Sequence, residues 1–450
     1  MSRKLAVGTM AAYSAPMVPI WMLHTPALSI LPGLYATLGG IDLMTIGAIL
    51  AFSRFLDGFT DPLVGWLSDN TRTRFGKRKP WILAGSLLCL VGVWFWFRPG
   101  PDTGAVYFLL ASAAVYLGWT MVEIPHAAWL SELTHGYNQR SRLSATRTTG
   151  IYLGHCVFWL GPFLPMLATR EITPEVMRIQ SWVIIGLLLV SVTWMLSRVP
   201  IGYSGSRSSP SIKRAAVAMS KNGPAKLLAA ILLVSWFASG MVAGLYFFYI
   251  SEYLQLGDKF GHIGLSVAVI GFLSASAWGW VATRVGKHRV IAICNFSTVL
   301  TLLAMAMLEP GTSAFYPLLL IFSFSALFGA GSTVGYYALM SDVVDYDELK
   351  TGAHQAGSYY ALITLLQKLG LGAGAGSALI LAALFGFDQN GNNEGQALIG
   401  FFVAFLGIPI VLNLVATLLV FNFPLDERRH RVIRKRLDSL ARRRTVTAHG

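Results

Sequence analysis

Residues 65–80 read Gly65-Trp-Leu-Ser-Asp69-Asn-Thr-Arg72-Thr-Arg74-Phe-Gly76-Lys77-Arg78-Lys79-Pro80, and residues 279–289 read Gly279-Trp-Val-Ala-Thr-Arg284-Val-Gly286-Lys287-His-Arg289. Both open on Gly-Trp and close on a short basic turn that contains a glycine. Each follows a long apolar run of the kind that suits a membrane-crossing helix, which needs roughly 20 such residues. The first turn follows the second run from the N-terminus and the other follows the eighth. An echo six runs apart predicts two six-helix halves related by a parallel repeat, with a substrate site between them near the midplane.

Composition points the same way. The 450 residues are 54% hydrophobic and only 12% charged. A soluble domain carries roughly 25% charged residues, so this chain has too little polar surface to cover a globule in water. The sequence predicts twelve spans, the fifth over 145–169, the sixth over 180–199 and the tenth over 314–342. The longest hydrophilic stretch, near 200–225, is rich in Ser, Gly and basic residues and reads as a linker. The expected organisation is a six-helix bundle over 1–199, the linker, a second bundle over 226–423 and a basic tail over 424–450.

A net charge of +14 invites a nucleic-acid partner, but its distribution argues against one. Of 35 Lys and Arg, four (Arg98, Arg170, Arg178 and Lys259) fall on one set of alternate connections, and Arg54 and Lys368 lie inside apolar runs. The rest fall on the other connections and the two termini. Excess Lys and Arg marks the cytoplasmic side, so both termini are expected there, in a multi-pass protein of the cell inner membrane. Cys89, Cys156 and Cys294 each sit in an apolar run and read as small packing residues. No cleavable leader is evident ahead of the first span. No nucleophile–base pair, metal-ligand cluster or phosphate loop suggests an enzyme, and no cofactor is expected beyond a coupling ion.

Ionisable groups inside spans are costly, about 2.5–3.5 kcal/mol at the bilayer centre on insertion scales, and mark function by default. Span two carries Arg54-Phe-Leu-Asp57-Gly-Phe-Thr60-Asp61-Pro62. Asp57 and Asp61, four apart, share one helix face. Two carboxylates in low dielectric repel unless a cation joins them. A bound Na⁺ or H⁺ would remove that cost, and so would a ladder with Arg54 or Lys368. Span four holds Glu123 after Trp119-Thr120 and before His126, and Arg147 opens span five. Glu123 and Arg147 are either a staple between helices or a pair that opens onto a polar substrate. Span eleven holds Thr364 and Lys368, whose ammonium needs one of Asp57, Asp61 and Glu123. The acidic stretch 341–352 reads either as a solvated loop or as the partner of the basic turn 72–79, with Asp342 and Asp345 set against Arg74 and Arg78 to lock the cytoplasmic side when the cavity faces out.

Asp57-x-x-x-Asp61-Pro62-x-x-Gly65, followed by Asn70-Thr-Arg-x-Arg74-x-Gly76-Lys-x-Lys-Pro80-Trp, resembles the signature of the glycoside–pentoside–hexuronide:cation symporters, the melibiose permease-like family. Asp342-x-x-Asp345-Tyr-x-Glu348-x-Lys-Thr-Gly352 resembles its second signature. The resemblance covers essentially the whole chain and implies the major facilitator fold, all-α, with twelve transmembrane helices in two six-helix bundles. It implies a cation site at Asp57, Thr60, Asp61 and Thr120, a substrate pocket at Trp119, Glu123, Arg147, Thr364 and Lys368, and a protein that works as a monomer. Four places depart from the family. Thr60 stands where Asn is usual, which leaves Na⁺ and H⁺ both open, and Glu123 stands where sugar-binding members have Asp. His354 stands where Arg is usual, and span one has no acid over Tyr13-Ser-Ala-Pro-Met-Val-Pro-Ile-Trp21-Met-Leu-His24, where sugar-binding relatives place one. The function expected is secondary active symport of a glycoside-type sugar or related small polar solute. The alternative is symport of lysophospholipid, which an apolar span one would suit.

Overall fold

The computed structural model describes residues 5–101, 103–133, 137–164, 171–202, 220–351, 356–389 and 393–425, with 217, 429, 432, 433, 435–437 and 439. His354, most of the linker and most of the basic tail lie outside the described residues.

Among the described residues twelve helical spans follow one another: α1 Val7–Gly39, α2 Leu43–Asn70, α3 Lys79–Trp96, α4 Ala105–Leu133, α5 Tyr137–Leu160, α6 Pro174–Arg198, α7 Gly223–Tyr253, α8 Phe260–Val285, α9 Lys287–Met305, α10 Phe315–Thr351, α11 Ala356–Leu384 and α12 Gln396–Phe421. Ten are, among the described residues, long and apolar enough to cross a membrane. The other two, α5 and α8, complete the set by length and packing; Arg140, Arg142 and Arg147 crowd the first three turns of α5. Large apolar side chains face outward along whole helices. On α2, Phe52, Phe55, Phe59, Leu63 and Trp66 form an exposed stripe, an exterior that only lipid tolerates.

Span α1 is not one straight helix. It runs as Val7–Ser14, Met17–Met22, a π-turn at Pro26–Ile30 and Leu31–Gly39. Pro16, Pro19, Pro26 and Pro32 each lack the N–H that a continuous helix needs. The span ends on Gly40 at φ 62°, a left-handed residue that permits the tight turn into α2. Asp42 then caps α2, accepting from the Thr45 backbone N–H at 2.8 Å. Thr173 and Asn222 cap α6 and α7 in the same way, so α6 starts at Pro174, ahead of the position expected from hydropathy.

The repeat is visible in the packing. In the first half α3 packs on α4, α2 on α4, α1 on α5 and α3 on α6; six spans on, α9 packs on α10, α8 on α10, α7 on α11 and α9 on α12. The echoed turns match as well. Gly76 and Gly286 both take left-handed backbone, φ 89° and 96°. Each turn then sends a cation to an acid on the fourth span of its own half. Arg78 bonds Glu132 at 2.6 Å and Asp69 at 2.5 Å, and Lys287 bonds Asp342 at 2.5 Å.

The halves meet through α2 on α11 and α5 on α8, again an equivalent pair, and through α1 on α7. Small residues set the approach. A Cβ on Gly47 would lie 2.6 Å from the Gly376 carbonyl oxygen, one on Gly33 would strike Phe247 and one on Gly264 would strike Trp159. These approaches lie at the face where α1 turns into α2 and α7 turns into α8.

The structure differs from the sequence reading at 341–352. These residues continue α10 to Thr351 rather than forming a loop. Val343 and Val344 are buried against Ala225, Leu228 and Ile291, so tertiary packing extends the helix past its polar residues.

Candidate functional site

Span α4 presents Tyr116, Trp119, Thr120, Glu123 and His126 at helical spacing, so one face carries these five side chains. Facing it, α2 presents Arg54, Asp57 and Asp61. Pro62 and Pro125 each interrupt the backbone ladder beside these groups.

Asp57 is buried and accepts from Arg54 Nη1 at 2.9 Å. The Arg54 guanidinium lies over the Tyr116 ring, 4.1 Å from its centroid. Asp61 accepts from Lys368 Nζ at 2.7 Å through Oδ2 and from the Thr120 hydroxyl at 2.9 Å through Oδ1. The Lys368 contact joins α11 to α2 and so bridges the two halves. Each carboxylate of the expected cation site is thus matched by a cation from the protein. Thr60 is half-buried on the same helix. Four oxygen-bearing side chains, those of Asp57, Thr60, Asp61 and Thr120, suit a hard cation such as Na⁺, and either carboxylate suits a proton.

The second cluster lies one turn along α4. Glu123 accepts from Trp119 Nε1 at 2.5 Å and from Arg147 Nη2 at 3.1 Å. Arg147 Nε donates to His126 Nδ1 at 3.4 Å. The other ring nitrogen of His126 lies 2.7 Å from the Tyr13 carbonyl oxygen and is the protonated one, because a carbonyl only accepts. The Tyr13 hydroxyl returns a bond to the His126 carbonyl at 2.7 Å, and the two rings stack at 4.1 Å. Both imidazole nitrogens are engaged, so His126 positions Arg147 and α1. Thr364 is half-buried on the α11 face that carries Lys368.

Four rings complete this region. Trp21 and His24 of α1 pack with Trp119 and His155, with centroids 5.2 to 6.1 Å apart. The sequence reading passed over His155, Tyr116 and the roles of Tyr13, Trp21 and His24. The i, i+3 spacing of Trp21 and His24 was the available signal on α1.

Arg74 is exposed and stacks on Phe75. Arg78 and Asp342 are expected to meet across the halves when the cavity faces out. Here each is bonded inside its own half, Arg78 to Asp69 and Glu132, Asp342 to Lys287. The reason is the repeat: Asp342 is the second half's counterpart of Glu132. Asp345 is buried on the same face of α10.

Residues 12–427 match the family described as MFS/sugar transport protein. The chain belongs to this family. It is similar to the glucuronide carrier protein homolog of Escherichia coli K12, 24% identical over 98% of this chain and 97% of that protein. It is also similar to the sodium-dependent lysophosphatidylcholine symporter 1 of Mus musculus, 23% identical over 89% of this chain and 82% of that protein. A solved structure of the nucleoside transporter NupG superposes with a TM-score of 0.63 at 12% identity, over 93% of this chain and 98% of that one, which establishes the major facilitator fold. The chain is a multi-pass membrane transport protein of this fold.

Proposed function

We propose that this protein is a cation-coupled symporter that carries a glycoside-type sugar or related small polar solute, with Na⁺ or H⁺ bound at Asp57, Thr60, Asp61 and Thr120. Trp119, Glu123, Arg147, Thr364 and Lys368 line the substrate pocket. The observation that carries this reading is the Lys368–Asp61 bond of 2.7 Å between the halves. A cation arriving at Asp61 competes with the ammonium and loosens the tie between α2 and α11. Substrate binding at Glu123 and Arg147 then favours the other arrangement of the halves. Coupling is the difference of each ligand's affinity between the two states.

The close approaches at the α1–α2 face, with Arg78 and Asp342 bonded inside their own halves, support a state open toward the termini. With the termini cytoplasmic and the protein in the inner membrane, that state faces inward. Arg74, Arg78, Asp342 and Asp345 then gate the open face when the halves rock, and a single chain carries the whole site. A second reading, symport of a lysophospholipid, is favoured by α1, whose Tyr13, Trp21 and His24 replace an acid with rings.

Titration of tryptophan fluorescence with NaCl and with acid, in wild type, Asp57→Asn and Asp61→Asn, tests the cation site. A saturable response to one ion in wild type that both variants lose supports the reading. An identical response in all three assigns the carboxylates to structure alone.

A further inference from the structure

Gly370, Gly372, Gly374 and Gly376 of α11 divide between two neighbours. A Cβ on Gly370 or Gly374 would meet α7 of the same half, the first at 3.1 Å from the Trp236 Cβ and the second on the Phe237 carbonyl oxygen. A Cβ on Gly376 would meet α2 of the other half, 2.5 Å from the Gly47 carbonyl oxygen. Gly372 also faces α2, and there it meets a charged side chain rather than backbone. A Cβ on Gly372 would overlap the Cγ of Arg54, with the Arg54 Cβ at 2.6 Å and Cδ at 2.7 Å.

A glycine in a helix interior is disfavoured relative to alanine, so Gly372 needs a packing reason. Arg54 supplies it. The arginine is 8% exposed, its guanidinium lies 4.1 Å from the Tyr116 ring centroid, and its Nη1 donates to Asp57 at 2.9 Å. A long flexible stem keeps that pose only if its free side is walled, and the bare face of Gly372 is the wall. We propose that Gly372 is a positioning residue for the cation site: it seats Arg54 on Asp57 for as long as α11 lies against α2. This inference rests on the cation site proposed above and adds a residue that acts on it through Arg54.

Lys368 and Gly372 are four residues apart and share one face of α11. That face therefore sets the partner of both carboxylates: Asp61 by charge, at 2.7 Å from the ammonium, and Asp57 by the seat it gives Arg54. When the halves rock and α11 draws away from α2, the ammonium leaves Asp61 and the wall behind Arg54 goes with it. The guanidinium is then free to turn from Asp57. Both carboxylates change partners in a single movement, and a cation that takes their place opposes the return of α11.

The test is carboxyl labelling of the purified full-length protein with dicyclohexylcarbodiimide in Na⁺-free detergent, with fragment mass spectra that place the label at Asp57 or Asp61. Gly372→Ala should raise labelling of Asp57 several-fold over wild type and leave Asp61 unchanged. Gly374→Ala crowds α7 instead and should label as wild type does. Arg54→Ala should label Asp57 as strongly as Gly372→Ala, and combining the two should add nothing. Labelling of both carboxylates in Gly372→Ala, or of neither, overturns the inference, as does an equal rise in Gly374→Ala. If Gly372→Ala does not fold, the double variant decides. Arg54→Ala removes the Cγ and Cδ that the new Cβ meets, so the double variant should fold where the single one does not; failure of both overturns the inference. No Na⁺ is present during labelling, so the result stands apart from the symporter reading, which the ion titration above decides.

Discussion

Lys368→Gln takes the ammonium from Asp61 and leaves that carboxylate with the Thr120 hydroxyl. The two charges lie 2.7 Å apart at their nearest atoms. With charge centres about 4 Å apart and an effective dielectric of about 20, Coulomb's law gives about 4 kcal/mol. The side chains are 21% and 11% exposed, so water screens part of this. Half remains after that discount, about 2 kcal/mol. A cation that must displace Lys368 works against that energy, so the variant should bind its coupling ion about 30-fold more tightly than wild type. Transport should fall at the same time, because a cation that no longer exchanges with a bond between the halves has lost its lever on their arrangement. Equilibrium dialysis of radiolabelled Na⁺ and the acid dependence of intrinsic fluorescence read the two candidate ions. If neither affinity moves in Lys368→Gln, ion and ammonium do not compete and the coupling step is wrong.

Other positions give independent checks. Gly376→Ala puts a Cβ 2.5 Å from the Gly47 carbonyl oxygen, a backbone atom with nowhere to go; melts should show a loss of about 1–3 kcal/mol. In contrast, Gly329→Ala meets nothing within 4 Å, and its melt should be unchanged or improved by up to about 1 kcal/mol. His126→Leu leaves the Tyr13 carbonyl and one Arg147 donor unpaired and should destabilise by about 1–3 kcal/mol. His126→Gln, whose amide can still serve the carbonyl, should recover part of that loss; matching melts for all three proteins would remove the positioning role. Asp42→Ala loses the α2 cap, worth about 1 kcal/mol. The Thr45 bonds hold the Asp42 carboxyl below the usual carboxylate range. The folded form therefore favours the charged state, and the cap's contribution is present above an ordinary pKa of about 3.9. It fades as pH falls through the lower folded value. The difference between wild-type and Asp42→Ala melts should narrow on acidification, and a difference that widens contradicts this.

Much of the fold was legible because lipid imposes one simple rule, long apolar helices with basic turns on one face. The Gly76 and Gly286 echo carried the two-half plan, and both glycines take a positive φ. Span five was blurred because Arg140, Arg142 and Arg147 mask its first turns. The end of α10 was misread because Asp342, Asp345 and Asp347 look like a solvated loop. Burial of Val343 and Val344 on the second half's core, invisible to local composition, keeps those residues helical. In the site, the Arg54–Asp57 rung follows from i, i+3 spacing. The Lys368–Asp61 bond spans 307 residues and no local pattern predicts it; only the shortage of partners for a buried ammonium pointed there. In this state Arg78 and Lys287 each bond an acid of their own half, Glu132 and Asp342, a pairing that charge alone does not single out.

Coupled transport is tested most directly by uptake into proteoliposomes of labelled glycosides, uronides and lysophospholipids under an inward Na⁺ gradient, an inward H⁺ gradient or neither, in wild type and Asp61→Asn. Gradient-driven accumulation of a glycoside or uronide in wild type, lost in Asp61→Asn, is the predicted result. Accumulation of lysophospholipid alone would move the protein to the lipid reading. Uptake that ignores both gradients and survives Asp61→Asn would contradict cation coupling at this site.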